Sequence, residues 1–302
     1  MNLTSHVTEL TIYNERYVPL NVYCLKNLNK LVIYDTDFYE YSLDDESIRA
    51  IPSEIGLLRS LRTLHIYNSP VERLPNEFGN LDLLTELFIV NSDLKEIPTV
   101  IENLSQLITL KLSDNQLVLL PSTFGKLRSL RTLWLDNNRI TSLPSTMSSL
   151  TSLNTIYLQS NPLTSIDELN GMNSIQNLYA QNCNIKYLPT RMSYITYFNM
   201  SHNNLEDLFG ISTLGTPSYY RIMDFSYNQI DLIPPEISQN IGLLQQFLVK
   251  HNKLTHLPKE LFGLYNSPAT ILDISENNFP PEELNLIKET IRTRLPQIQV
   301  FY

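Results

Sequence analysis

Leu107-Ile-Thr-Leu110-Lys-Leu112-Ser-Asp-Asn115-Gln-Leu117-Val-Leu-Leu120-Pro121 sets large apolar residues at spacings of three, five and ten from Leu107, with an asparagine at spacing eight. The same frame starts at Leu61, Leu84, Leu130 and Leu153, in steps of 23 residues, and less cleanly at Val7, Leu28, Ile175, Ile195, Tyr220, Leu244 and Ala269. A period of this size predicts a solenoid, because so short a unit buries its apolar edge only against its neighbours. The repeats span nearly all 302 residues, and residues 1–302 read as one domain.

The alternation Leu110-Lys-Leu112 predicts a short strand with its apolar side chains facing inward and the intervening residue facing solvent. Stacked units then give an α/β solenoid, a horseshoe whose concave side is a parallel sheet of 12–13 short strands. The convex side is expected to hold irregular, 3-10 or helical segments. Asparagine at spacing eight (Asn115, Asn138, Asn161, Asn203, Asn228, Asn252 and Asn277) is placed to bond backbone groups where the strand turns away, a structural role. Cys183 occupies the same slot and reads as a buried structural thiol.

Residues 61–152 add Leu/Ile-Pro at Leu74-Pro75, Ile97-Pro98, Leu120-Pro121 and Leu143-Pro144, then Phe78-Gly79-x-Leu81 and Phe124-Gly125-x-Leu127. This stretch resembles the 23-residue repeats of leucine-rich-repeat proteins, in particular Ras-interacting scaffolds, plant intracellular Ras-group proteins and many bacterial members. The resemblance implies a curved solenoid that binds another macromolecule, usually a protein, on its concave side. Fold alone does not assign the task.

Departures from the frame mark irregular places. The step from Leu28 to Leu61 is long, which predicts a protruding acidic insert over Tyr39–Ala50. Ile166-Asp-Glu-Leu169 lacks the proline and resembles the 22-residue subclass with a helical turn. Uneven steps after Ile195 and the Gly210–Ser218 stretch predict an irregular loop. Pro280-Pro281 followed by Leu284, Ile287, Ile291 and Leu295 predicts a helix, and a final strand near Ile298–Val300 completes a C-terminal cap over about 280–302. Few residues precede Val7, so the N-terminal edge is expected to be thinly covered.

Thirty-one acidic against 22 basic residues, a net charge of −9, disfavours nucleic acid and anionic membrane as partners. No stretch approaches the ~20 apolar residues of a membrane span. Two cysteines in different repeats, with no cluster at either end, lean towards a reducing, cytoplasmic setting. Sequons at Asn2, Asn103 and Asn199 leave a secreted or surface-exposed one open.

Function should show in the outward strand columns. One contains Thr11, Val32, His65, Phe88, Lys111, Trp134, Tyr157 and Tyr179, and the next contains Tyr13, Tyr34, Tyr67, Asp136, Gln159 and Gln181. They predict an exposed aromatic band with Trp134, Tyr157 and Tyr179 as a ladder and polar groups beside it. Such a band suits a protein epitope; the alternatives are a carbohydrate-binding or adhesive surface, a passive scaffold whose contacts lie at its ends or convex side, and rings that stack only to stabilise the sheet. The candidate partner-binding residues are therefore Tyr13, Tyr34, His65, Tyr67, Phe88, Lys111, Trp134, Asp136, Tyr157, Gln159, Tyr179 and Gln181. Catalysis is not expected: Asp224 and Asp273 share a column two repeats apart on a flat surface with no pocket to tune a carboxylate. His202 and His251 flank Tyr227 too far apart for one metal ion. No cofactor motif, metal motif or nucleophile motif occurs in the sequence.

Overall fold

The computed structural model describes residues 6–38, 49–215, 220–239, 243–264 and 270–302. The chain divides into two compact units, residues 1–153 and 154–302. The first carries strands β1 (Glu9–Tyr13), β2 (Lys30–Tyr34), β3 (Thr63–Tyr67), β4 (Glu86–Val90), β5 (Thr109–Lys111) and β6 (Thr132–Trp134). The second carries β7 (Thr155–Tyr157), β8 (Asn177–Tyr179), β9 (Tyr197–Asn199), β10 (Tyr220–Asp224), β11 (Leu243–Leu248), β12 (Ile271–Asp273) and β13 (Gln299–Phe301). Within each unit every strand pairs in parallel with the strand before and after it in the chain. The thirteen strands agree with the repeat count.

In the quoted repeat, Leu107, Leu110, Leu112, Leu117 and Leu120 are all buried, and Lys111 faces outward. The chain then turns at Pro121, which caps a 3-10 turn at Ser122–Lys126. Pro52, Pro75, Pro98 and Pro144 begin equivalent turns, with φ between −68° and −73°. The pyrrolidine ring fixes that angle, and the missing N–H costs nothing at a turn's first position. Inside these turns Gly125 lies so close to the following repeat that a Cβ would sit 2.3 Å from the Thr146 carbonyl oxygen, so the Phe-Gly pair is a packing requirement.

Asn115 bears out the structural reading. Its Oδ1 accepts from the Leu94 and Ser92 amides at 2.9 and 3.2 Å, and its Nδ2 donates to the Ile89 carbonyl at 2.7 Å. Asn138, Asn203, Asn228, Asn252 and Asn277 make the same cross-repeat bonds. Earlier repeats use Thr36 and Ser69, whose hydroxyls serve the amides of Glu15 and Thr36. The Cys183 thiol faces the Leu158 carbonyl at 3.5 Å, and burial pushes its pKa up to about 11, so it is an unreactive core group.

The residue before this slot adopts a left-handed conformation in every repeat. In the first unit the column reads Asn14, Asp35, Asn68, Asn91, Asp114 and Asn137; in the second, Ser160, Asn182, His202, Tyr227, His251 and Glu276, all with φ between +48° and +58°. Asparagine and aspartate tolerate that region; tyrosine and glutamate do not do so readily.

The irregular places fall largely where the frame departs. Asp167–Leu169 forms a short 3-10 turn. Helix α1 (Pro281–Arg294) has proline in its first turn, buries Ile287 and Ile291, and leads into β13, which pairs with β12. Positions 39–48 of the expected insert and 216–218 of the expected loop lie outside the described residues. At the first strand, Leu10, Ile12, Val22 and Leu25 line an open cleft of about 590 Å³. Arg221 is fully buried beside Gly215, in line with Leu244 where a leucine would otherwise stand, and the register slips there between β10 and β11.

Candidate functional site

The outward positions of the first unit are brought together as one run of rings. Tyr13 and Tyr34 lie with centroids 4.8 Å apart, and Tyr34 and Tyr67 stack at 5.0 Å. Tyr67 meets His65 edge-on at 6.1 Å, His65 stacks on Phe88 at 4.0 Å, and Phe88 meets Trp134 edge-on at 6.4 Å. β5 contributes Lys111, whose ammonium stands 5.7 Å from the Trp134 ring centroid. In-register parallel pairing explains the run, because Tyr13, Tyr34 and Tyr67 are direct strand partners, as are His65 and Phe88.

The band is less exposed than the alternation predicts. Tyr13 is 64% exposed, whereas Tyr34, Tyr67, Phe88, Trp134, Tyr157 and Tyr179 are half-buried, and Val32 in the same column is buried outright. Strands ~4.8 Å apart place successive rings in contact, so each shields its neighbour.

Charged groups sit among the rings. Glu86 Oε2 is 3.2 Å from His65 Nε2. Burial pushes the His65 pKa below its ordinary value, and the Glu86 carboxylate opposes that shift. Burial likewise raises the Asp136 carboxyl, against a 2.7 Å hydrogen bond that Ser113 donates to it.

In the second unit Tyr157 stacks on Tyr179 at 4.4 Å, and Tyr179 on Tyr197 at 4.6 Å. Tyr197 is absent from the sequence-based set because it stands two residues ahead of the aromatic column, in line with Asn177. A register that includes the first position of each strand would have found it. Gln159 and Gln181 flank this stack, but their side-chain oxygens are shut off from solvent and have no hydrogen-bond partner among the described residues. Asp224 and Asp273 are backbone caps, accepting from the amides of Ser226 and Ser275 at 2.9 and 3.0 Å. Among the described residues no cluster of metal-binding side chains occurs.

A second ring stack lies on the left-handed column of the same unit. His202, Tyr227 and His251 stack in order at 4.3 and 4.9 Å. Glu276 accepts from Lys250 at 2.9 Å and lies 3.0 Å from His251 Nδ1, and these partners hold its carboxyl below the usual range. The sequence shows these residues as equivalent; their left-handed backbone and mutual stacking come from the structure.

Residues 87–208 match the family model of a leucine-rich repeat region. The chain has the leucine-rich-repeat fold. An internalin of Listeria monocytogenes superposes with a TM-score of 0.77 at 19% identity, over 99% of this chain and 83% of the internalin. A leucine-rich-repeat protein of Bacteroides thetaiotaomicron gives 0.69 at 16% identity, over 87% of this chain and 36% of the other. The ectodomain of a plant membrane receptor kinase from Arabidopsis thaliana, solved in complex with Casparian strip integrity factor 2, gives 0.56 at 20% identity, over 96% and 40%. No curated protein matches the chain in sequence. Among the described residues of this leucine-rich-repeat chain, no helix is long and apolar enough to cross a membrane.

Proposed function

We propose that this leucine-rich-repeat protein is a non-enzymatic binding module that holds a protein partner on its aromatic sheet face. The observation that carries the reading is the unbroken ring run from Tyr13 through Tyr34, Tyr67, His65 and Phe88 to Trp134. Rigid aromatic rings beside Lys111, Glu86 and Asp136 supply what protein hot spots use, an apolar anchor with a polar rim. Tyr157, Tyr179 and Tyr197 offer the same chemistry in the second unit. The plant receptor ectodomain, solved in complex with its factor, is a precedent for this fold holding a separate partner. The non-enzymatic reading gains support from Asp224 and Asp273, whose carboxylates are engaged as caps.

The mutual stacking favours one rival, a passive scaffold in which rings only hold strands together, each pair contributing roughly 0.2–1 kcal/mol. Affinity capture with wild-type protein beside a Tyr34→Ala/Phe88→Ala/Trp134→Ala variant and a Tyr157→Ala/Tyr179→Ala variant separates the two, once circular dichroism shows all folded. A partner held by the wild type and lost by either variant, with each ring contributing about 2 kcal/mol, supports the binding face. Equal capture by all three makes the rings sheet packing.

A further inference from the structure

On the loops that carry the left-handed column, the next residue is buried and the one after it faces solvent. Two positions further on, a third outward row follows. In the first unit neighbours in these rows close on one another at two places: Gln116 Nε2 donates to Asp93 Oδ1 at 2.7 Å in the nearer row, and Lys95 pairs with Glu72 in the farther one. In the second unit the same rows hold Asn204, Gln229 and Lys253, then Lys186, Glu206 and Asp231, and these six line an open cleft of about 410 Å³. None of their side chains has a hydrogen-bond or ion-pair partner among the described residues.

The lining defines a ligand class. Two ammonium groups and two carboxylates cancel, so the cleft does not select for net charge. Flat carboxamides and carboxylates bond well to a pair of neighbouring hydroxyls, which both donate and accept. A volume of this size lies within the usual range of roughly 300–1,000 Å³ for small-ligand sites. Alongside, two residues away on the same three loops, stand His202, Tyr227 and His251, of which Tyr227 holds a bulky ring in a left-handed conformation that suits asparagine or histidine. Strain of this kind persists where the surroundings or a function hold it.

We propose that the second unit binds a short, uncharged oligosaccharide in the cleft lined by Lys186, Asn204, Glu206, Gln229, Asp231 and Lys253, with an end of the sugar chain reaching the His202–Tyr227–His251 stack on the adjoining row of the same loops. The site is separate from the sheet face and does not rest on the protein-binding reading. The unpaired amides and balanced charges of the cleft supply hydrogen bonds to hydroxyls, and the ring stack on the adjoining row supplies apolar contact to sugar CH groups.

The test is binding of the purified protein to immobilised neutral oligosaccharides of three to six glucose, mannose, galactose, xylose or N-acetylglucosamine units. Any hit is then titrated by calorimetry. The wild type should bind at least one probe; Gln229→Ala/Asp231→Ala should weaken it by about tenfold or more, as expected when hydrogen bonds to a ligand are lost. Tyr227→Asn should weaken binding without unfolding the protein, and Tyr157→Ala on the sheet face should leave it unchanged. Failure of every neutral probe, affinity unchanged in the Gln229/Asp231 variant, loss only with Tyr157→Ala, or binding confined to charged glycans would each overturn the proposal.

Discussion

The two units put the same rows of positions to opposite uses. In the first, side chains of successive repeats close on one another: Asn68 on Asp35, Asn91 on Asn68, Gln116 on Asp93 and Lys95 on Glu72. In the second, the left-handed row carries stacked rings and the two rows beyond it stand open around a cleft. The backbone is alike in both, held by the same buried slot and the same left-handed turn. The repeat frame therefore fixes where side chains emerge and leaves their chemistry free, so local differences in those rows are where function can be written.

The largest effects test what the units share. Asn115→Ala strips bonds from two amides and three carbonyls and should cost about 3 kcal/mol or more in urea unfolding. Cys183→Asn in the second unit should instead raise stability, because it restores the amide to a slot where the thiol's contacts are 3.5 and 3.7 Å long. A loss at Cys183→Asn as large as that at Asn115→Ala would show that the slots are not equivalent. Next come the Phe-Gly turns: Gly125→Ala drives a methyl into the Thr146 carbonyl and should cost about 2 kcal/mol, whereas Gly263, with no described atom within 4 Å of its Cβ position, should accept alanine with little change in Tm.

A tyrosine moved to Asn137, where the column offers Asp114 rather than a ring, should cost about 1 kcal/mol of left-handed strain. Tyr227→Asn should change stability by less than about 0.5 kcal/mol, since relief of strain is offset by loss of two ring contacts. A large loss at Tyr227→Asn would make the stack a structural device and not a surface feature. The smallest effect is in pH. The His65 pKa is lowered in the folded state, so the unfolded chain binds more protons and stability falls as pH drops below about 6.5. His65→Phe should flatten the dependence of Tm on pH between 7.5 and 5.5. Glu276, in the second unit, has a lowered carboxyl, so its contribution is present above 4.5 and is lost only below it, outside that window.

The fold was legible because its signal repeats. Leu110, Leu112 and Leu117 recur as Leu133, Leu135 and Ile140, and a strand, a turn and a buried amide follow from each copy. The aromatic columns were equally readable, since parallel in-register pairing preserves their spacing. What the pattern could not give was contact. Half-burial of Tyr34 and Phe88 comes from neighbours, the Tyr197 contribution from a diagonal, and the stacking of His202 on Tyr227 from a backbone angle that no residue name discloses. The cleft was invisible for a further reason: it depends on Lys186, Glu206 and Asp231 failing to pair, and absence of pairing is not written in composition.

Hydrogen bonds such as Asn91 to Asn68 and Gln116 to Asp93 join each repeat to the one beside it. Held at its ends and stretched, such an arrangement has among the described residues no distant clasp that must give way before the rest. Each rung lost frees one repeat's length of chain, roughly 75 Å at ~3.3 Å per residue, and leaves the remaining rungs bonded as before. The first unit is in this sense a graded spring, yielding by instalments rather than by a single break.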